Sequence, residues 1–246
     1  MQSPSRWINL SGAVNVRDLG GYKTETGSTR WLNLFRADNL HRLTEEDQSI
    51  LLDMGIRTII DLRHRTEVEA APNSFADHPQ ILYRNIPIFR QVPSAEQRSR
   101  IPDLSAAYRY MVENCKVGFG EALAAIADAD AGAVLYHCTA GKDRTGILTA
   151  LLLSLVGVAP DDIAFDYALT AEAMKRLRPI FLEQLSKMGG SVEETLLLSE
   201  AADMAGLLIY IDEQYGNAYK YVQSLGLTDA EISRIRTRLM SSEQVL

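Results

Sequence analysis

Short apolar runs alternate along the chain with longer stretches of helical periodicity. Four short runs, one of them rich in β-branched residues, predict strands at Trp31–Phe35, Ile56–Leu62, Ile81–Ile88 and Ala133–His137. The longer stretches predict helices, because their apolar residues recur at steps of three and four. Strands that alternate with helices indicate an α/β layer fold with a mainly parallel central sheet flanked by helices.

Two of the predicted helices have local signals of their own. Residues 43–55 contain Thr44 as a potential N-cap, Asp47 three residues later as in a capping box, and Gly55 as a C-terminal stop. The stretch Thr145–Val156 is apolar on all sides, which is typical of a buried helix.

The last hundred residues have helical periodicity. Seven apolar positions predict one helix face that ends at Gly226, namely Leu207, Leu208, Ile211, Tyr215, Ala218, Val222 and Leu225. Thr228 and Glu231 predict the capping box of a last helix. We expect this helical C-terminal part, about residues 160–246, to pack on the α/β core, so that residues 1–246 form a single domain.

Composition limits the classes of protein that fit this pattern. The 246 residues are 46% hydrophobic and 23% charged, which suits a globular chain with one sizeable core. A net charge of −7 argues against a nucleic-acid partner held by bulk electrostatics, but not against a small basic pocket. The longest apolar run, Ile147–Val158, is too short for stable membrane insertion.

Two cysteines, Cys115 and Cys138, are too few for a disulfide framework and favour a reducing compartment. The first twelve residues lack the apolar core of a secretory signal, so we expect a cytoplasmic location. Residues 89–105 are polar, contain two prolines and have no clean period. A loop of this length in a compact domain is often a lid or a binding loop.

The stretch HCTAGKDRTG at residues 137–146 lies between a predicted strand and a predicted helix. Ligands bind at the carboxyl ends of strands in such sheets, and a helix N-terminus offers free N–H groups and positive potential. Gly141 allows a tight turn, so that successive N–H groups can converge on one anion. The sequence therefore predicts a phosphate-sized anion site in this loop, able to hold phosphate or sulfate.

Helix N-termini and nearby cations lower the pKa of a thiol from about 8.5 to roughly 3.5–7.5. We therefore expect Cys138 to act as a thiolate nucleophile, with His137 orienting the loop. The fork of Arg144 matches two phosphoryl oxygens, and the Thr145 hydroxyl could bond the sulfur. Substrate contact is assigned to the rest of the loop, namely Thr139, Ala140, Gly141, Lys142 and Thr145.

The spacing C-x5-R followed by threonine is that of cysteine-dependent phosphatases. The loop resembles the HCxAGKDRTG loop of the bacterial protein tyrosine/serine phosphatases, and NVRDLGGY at residues 15–22 is similar to their NFRDLGGY, with Val16 in place of phenylalanine. Leu34–Arg36, Asp61–Arg63 and Glu67 also look like family positions. The resemblance implies a protein-tyrosine-phosphatase-like fold and a two-step reaction through a phosphocysteine, without metal or cofactor.

The general acid remains open among three aspartates. Asp143 lies inside the loop, and myotubularin-like lipid phosphatases with Asp-Arg-Thr there are thought to use that aspartate. Asp61 ends a predicted strand on the same rim, and Asp103 in Ile-Pro-Asp resembles the mobile Trp-Pro-Asp element of other tyrosine phosphatases. We favour Asp143. Burial can raise the pKa of such an acid, whereas the neighbouring Arg144 opposes this.

Other polar and aromatic residues are predicted to have supporting roles. Asn15, Arg17 and Asp18 are expected to brace the loop, and Arg63 and Glu67, four apart, to form an ion pair. Tyr108 and Tyr110 are predicted to be packing residues.

The main functional hypothesis is a phosphomonoesterase acting on phosphotyrosine in proteins or peptides, with phosphoserine and phosphothreonine as further substrates. A phosphoinositide phosphatase is the second hypothesis, which Lys142 supports and Thr139, where some lipid phosphatases have a basic residue, weakens. A non-catalytic phosphate-binding module is the third, although such proteins usually lose the cysteine or the arginine.

Overall fold

The computed structural model describes residues 5–91, 94, 96–97, 101–187 and 198–240, and only the backbone for 180–187. Its central sheet has five strands, in the spatial order Arg17–Asp18 (β1), Leu34–Ala37 (β4), Ala133–His137 (β7), Ile56–Asp61 (β5) and Leu82–Asn85 (β6). Strand β1 runs antiparallel to β4, and the other neighbouring pairs are parallel. A separate hairpin consists of Lys23–Thr24 (β2) and Gly27–Ser28 (β3).

Helices cover both faces of the sheet. The described helices are Glu45–Asp53 (α1), Arg65–Ala70 (α2), Leu104–Asn114 (α3), Lys116–Ala127 (α4), Asp143–Leu155 (α5), Pro160–Ala168 (α6), Thr170–Lys187 (α7), Ala201–Tyr215 (α8), Ala218–Ser224 (α9) and Asp229–Leu239 (α10). This architecture confirms the predicted α/β fold with a mainly parallel sheet flanked by helices. No helix in the described ranges is long and apolar enough to cross a membrane.

Strand β7 is the centre of the core, because alternate side chains enter different apolar layers. Val134 and Tyr136 belong to a large cluster that includes residues of α3 to α6 and α8 to α10. Ala133 and Leu135 belong to a smaller cluster with Leu51 of α1. A strand buried on both faces explains why residues 133–137 form a continuous apolar run.

The local signals predicted some element ends correctly and missed others, such as the strand predicted at 81–88, which extends only over Leu82–Asn85. Thr44 caps α1 and forms the capping box with Asp47, as expected. Strand β7 has the predicted bounds, whereas the strand predicted at 31–35 begins only at Leu34. Trp31 and Leu32 instead form the turn before β4, where Leu32 has a φ of 55° and its N–H donates to Asp18.

The single helix predicted through residues 207–225 is wrong. Gly216 adopts a left-handed φ of 84° and ends α8, and the Asn217 side chain then caps α9 by accepting from the N–H of Lys220. Both halves keep their apolar residues on the large cluster, so the periodicity continues across the break. Thr228 and Glu231 form the predicted capping box of α10.

The predicted loop 89–105 is described only in part, because residues 92–93, 95 and 98–100 lie outside the described residues. At its end, Asp103 caps α3 by accepting from the N–H of Ala106 at 2.7 Å. A helix therefore begins inside the segment that the sequence assigned to a loop.

Gly216 and Gly206 provide a matched test of the break between α8 and α9. Gly216→Ala should destabilise the protein by about 1 kcal/mol, because an L-residue is strained at a φ of 84°. Gly206→Ala, inside α8 with Ser105 Oγ 3.5 Å from the new Cβ, should stabilise it by about 0.5–1 kcal/mol. Urea unfolding measures both changes, and an equal effect of the two substitutions would contradict this account.

Candidate active site

The predicted anion loop, residues 137–146, runs from the carboxyl end of β7 through the connection 138–142 into the first turn of α5. It therefore lies at the strand ends where ligands bind in this class of sheet. The first backbone hydrogen bond of the helix runs from the N–H of Gly146 to the carbonyl of Lys142 at 2.6 Å. Cys138 lies at the base of the loop and is 2% exposed.

Three successive carbonyls of the loop are held from outside. Asn39 N–H donates to Thr139 O at 3.1 Å, Asn15 Nδ2 donates to Ala140 O at 2.9 Å, and Arg36 Nη2 donates to Gly141 O at 2.7 Å. In a trans peptide the N–H of the next residue points opposite to the carbonyl. The N–H groups of residues 140–142 therefore point away from these partners, which is the orientation that an anion-binding cradle needs.

Gly141 is required at the turn of the cradle. Its φ is +65°, and a Cβ there would lie 2.5 Å from the carbonyl oxygen of Ala37, which ends β4. A side chain would thus be strained by the backbone and would also push the loop off the sheet.

Behind the loop, a fully buried carboxylate organises its supports. Asp166 of α6 accepts from Arg17 Nε at 3.1 Å, from Arg36 Nη1 at 2.6 Å and from the Tyr22 hydroxyl at 2.7 Å. Burial alone would raise the pKa of Asp166, but the two guanidinium groups outweigh it and hold the pKa well below its usual range. Arg17 in turn donates to Asn15 Oδ1 at 2.5 Å.

Asn15 and Arg17 therefore brace the loop, as predicted. Asp18 instead accepts from the N–H groups of Gly20 and Leu32. It therefore fixes the turn that precedes β4, and among the described residues it makes no hydrogen bond to the anion loop. The sequence did not point to Asp166, because a lone aspartate in an amphipathic helix is normally a solvent-exposed residue.

His137 and Asp61 hold the start of the loop. His137 Nδ1 lies 3.1 Å from the carbonyl of Cys138, and its Nε2 is 2.8 Å from Asn73 Nδ2. Asp61 is fully buried and pairs with Arg63 Nη2 at 2.6 Å. Burial alone would raise the pKa of Asp61, but His137 and Arg63 outweigh it and keep it far below its usual value. Asp61 therefore supports the site and is not placed to give a proton to substrate.

Arg144 faces a carboxylate across the mouth of the loop. Its Nη1 lies 2.6 Å from Glu67 Oε2 and its Nη2 lies 2.9 Å from Glu67 Oε1, while the Thr139 hydroxyl also donates to Oε1. Burial would raise the pKa of Glu67, but Arg144 outweighs it and lowers the pKa to about 2. The predicted ion pair between Arg63 and Glu67 is wrong, since Arg63 pairs with Asp61 and Glu67 with Arg144.

Asp143 is the first residue of α5, and its side chain is 38% exposed. Its Oδ1 accepts from the Tyr108 hydroxyl at 2.7 Å and lies 3.3 Å from Lys142 Nζ. Asp103, by contrast, is exposed and occupied in capping α3. Of the three candidate acids, Asp143 is the one that belongs to the anion loop.

The remaining loop residues differ in their access to a ligand. Thr139 and Ala140 are half-buried, whereas Lys142 is buried, with its side chain 2% exposed. Thr145 is buried, and its hydroxyl has no hydrogen-bond partner among the described residues, so the expected bond to the cysteine sulfur is not formed. No group of three potential metal-ligating side chains occurs within the described residues.

A buried thiol, a guanidinium, a cradle of amides and a loop carboxyl form one compact constellation. These are the parts that a cysteine-dependent phosphatase requires. The chain matches the tyrosine phosphatase family over residues 8–241. It belongs to that family, and is thus an enzyme of the protein tyrosine phosphatase class.

Two relatives known from their sequences agree with this assignment. A tyrosine-protein phosphatase of Nostoc commune is 31% identical over 214 residues, 83% of this chain and 73% of the relative. The triple specificity protein phosphatase PtpB of Mycobacterium tuberculosis is 28% identical over 275 residues, 94% of this chain and 98% of the relative. The solved structure of P. aeruginosa TpbA in complex with phosphotyrosine aligns at a TM-score of 0.30 and 14% identity, over 55% of this chain and 67% of that one.

The pair of Glu67 and Arg144 predicts a pH-dependent contribution to stability. Because the pKa of Glu67 is lowered from 4.5 to about 2 in the folded protein, its contribution is complete above about pH 4.5 and declines as the pH falls toward 2. At pH 7 the free energy of unfolding of wild type should exceed that of Glu67→Gln by on the order of 1–2 kcal/mol. The difference is no larger because the Glu67 carboxylate is one-third exposed and is partly screened by solvent.

Urea unfolding of both proteins between pH 7 and pH 3 measures this difference, which should shrink below about pH 4.5. Glu69→Gln is the matched control, because Glu69 lies on the same helix in an exposed pair with Arg65. A difference between wild type and Glu67→Gln that stays constant over the pH range would contradict the prediction.

Proposed function

We propose that Cys138 is the nucleophile of a phosphotyrosine phosphatase reaction. The thiolate sulfur attacks phosphorus in line, the bond from phosphorus to the tyrosyl oxygen breaks, and Asp143 gives its proton to that oxygen. Water then attacks the phosphocysteine, Asp143 takes a proton from the water, and the phosphorus–sulfur bond breaks to return thiolate and inorganic phosphate. Atoms and charge balance over the two steps.

The loop supplies the stabilisation that this reaction needs. The N–H groups of residues 140–142 and the guanidinium of Arg144 would hold the oxygens of the transferring group, where charge develops. The same groups support binding of free phosphate or sulfate. Thr139, Ala140, Gly141, Lys142 and Thr145 remain the proposed substrate-contact residues, with Thr145 offering a buried hydroxyl that has no partner among the described residues.

The position of Asp143 supports its proposed role as the general acid. Its carboxyl is partly exposed at the start of α5, directly before Arg144. Asp61 is buried in an ion pair with Arg63 and also accepts from the Tyr83 hydroxyl at 2.8 Å. Asp103 caps a helix at the surface. Only Asp143 combines proximity to the nucleophile with a side chain that substrate can reach.

Phosphorylated proteins or peptides are the proposed substrates. The family and the relative from Nostoc commune support phosphotyrosine, and the relative named as a triple specificity phosphatase supports a specificity broader than one kind of substrate. Phosphoserine and phosphothreonine are the further proposed substrates. A phosphoinositide headgroup is the competing substrate. Lys142 is buried and lies close to Asp143, so it is poorly placed to bind the additional phosphates of an inositol headgroup. The presence of both Cys138 and Arg144 speaks against a non-catalytic module.

Two broader inferences accompany this assignment. The contribution of α8 to α10 to the large apolar cluster supports a single phosphatase domain over residues 1–246. A cytoplasmic location is supported by the two cysteines, both of which are free thiols.

Phosphate release from a phosphotyrosyl peptide, with chelator present, tests the mechanism. Cys138→Ser should abolish turnover, and Asp143→Asn should lower kcat by about 10²–10⁴-fold, the usual contribution of a general acid. Asp103→Asn is the control and should remain within about twofold of wild type, since exposed surface changes rarely propagate.

Loss of activity with chelator would contradict a metal-free reaction, and activity retained in Cys138→Ser would contradict the nucleophile. A soluble inositol polyphosphate assayed beside the peptide separates the two substrate classes. Faster turnover of the inositol phosphate would favour the lipid phosphatase.

A further inference from the structure

Two buried tyrosines link the loop to the helical layer. Tyr108 of α3 is fully buried, and Tyr167 of α6 is 1% exposed. Their hydroxyl groups form a short hydrogen bond, and their rings pack edge to face, with centroids 5.9 Å apart and planes at 87°. Ser199 fixes the end of α6 by donating to the carbonyl of Tyr167 at 3.1 Å.

The directions of these hydrogen bonds follow from the chemistry of the groups. An ionised carboxylate only accepts, so the Tyr108 hydroxyl donates to Asp143 Oδ1 at 2.7 Å. Tyr108 has then used its one hydrogen, and its oxygen must accept from the Tyr167 hydroxyl. The chain of donors therefore runs from Tyr167 through Tyr108 to Asp143. Burial, and then the negative charge of Asp143, raise the pKa of Tyr108 well above its usual value, so the phenol keeps its hydrogen.

The two oxygens of Asp143 are thereby made unequal. Oδ1 receives the phenol and also lies 3.3 Å from the Lys142 ammonium. Oδ2 has no hydrogen-bond partner among the described residues. A proton on Oδ1 would compete with both donors, whereas a proton on Oδ2 leaves both interactions in place.

We propose that Tyr108, supported by Tyr167, is a positioning residue that reserves Asp143 Oδ2 as the oxygen that gives and takes the catalytic proton. This inference rests on Asp143 being the general acid. In the first step the bond from Oδ2 to hydrogen breaks as the bond to the tyrosyl oxygen forms. In the second step Oδ2 takes the proton from the attacking water. Tyr108 keeps its own hydrogen throughout and does not touch the substrate.

The leaving group provides a readout that a purely structural role would not change. Phenolate, like the tyrosine of a substrate, is basic and needs a proton as it leaves, whereas 2,4-dinitrophenolate leaves without one. Tyr108→Phe should lower kcat/KM for phenyl phosphate by about tenfold and change kcat/KM for 2,4-dinitrophenyl phosphate by less than about twofold. The parameter kcat/KM is used because it reports the steps up to loss of the phenol and excludes hydrolysis of the phosphocysteine, which both substrates share. The ratio of the two kcat/KM values is measured on one preparation, so the folded fraction cancels.

Tyr221→Phe is the matched control. Tyr221 is also fully buried, and its hydroxyl donates at 2.7 Å to the carbonyl of Val112, on the same helix as Tyr108. Removing it takes one buried phenol hydrogen bond from α3 without affecting Asp143. The ratio of the two kcat/KM values for this variant should equal that of wild type.

Asp143→Asn and the double variant with Tyr108→Phe separate this inference from the assignment of the acid. We expect Asp143→Asn to change the kcat/KM ratio more than Tyr108→Phe does, and we expect the double variant to have the same ratio as Asp143→Asn alone. If Asp143→Asn changes the ratio but Tyr108→Phe does not, Asp143 is the acid and the positioning role is wrong. If Asp143→Asn leaves the ratio unchanged, the acid assignment fails and the role of Tyr108 fails with it.

Discussion

The outward-facing amides of residues 141 and 142 depend on one buried cluster of charges. Asp166 pairs with both Arg17 and Arg36. Arg36 donates to the Gly141 carbonyl, and Asn15, which is held by Arg17, donates to the Ala140 carbonyl. Charges in an apolar interior are stable only when paired and hydrogen-bonded. The cluster therefore ties together β1, β4, α6 and the loop, and fixes the direction of the loop peptides before any ligand arrives.

The charge distribution of the site contrasts with that of the chain. The protein carries a net charge of −7, yet the loop combines a guanidinium, a helix N-terminus and an ammonium near one thiol. Glu67 occupies the guanidinium of Arg144 and brings it to the mouth of the loop through two hydrogen bonds. Because Glu67 already holds this guanidinium in place, the phosphate binding proposed for Arg144 would cost little further side-chain entropy, which is the advantage of a preorganised site.

Local sequence patterns correctly predicted those structural features that depend on neighbouring residues. Capping residues set the starts of α1 and α10, and the buried run 133–137 set the central strand. Periodicity alone could not show the break at Gly216, because α8 and α9 both present apolar residues to the same cluster. A glycine inside an apolar repeat is compatible with either a continuous or an interrupted helix.

The sequence predicted which residues form the loop, but it did not predict which distant residues contact them. Ion pairs such as Asp166 with Arg17, or Glu67 with Arg144, join residues 77 to 149 positions apart, and sequence spacing carries no information about them. Tyr108 was predicted to pack, and it does pack against Tyr167. Its hydroxyl also meets Asp143, a contact that depends on where α3 lies against the loop.

Helix α5, which begins inside the predicted anion loop, is also deeply buried in the core, with Ile147, Leu148, Leu151 and Leu152 fully enclosed. Its first turn cannot shift without disrupting the apolar cluster around it. Amides in such a segment open only when the whole domain opens. The helical end of the predicted anion loop therefore opens together with the core, and slow hydrogen exchange should extend from the core up to the residues that are proposed to hold phosphate.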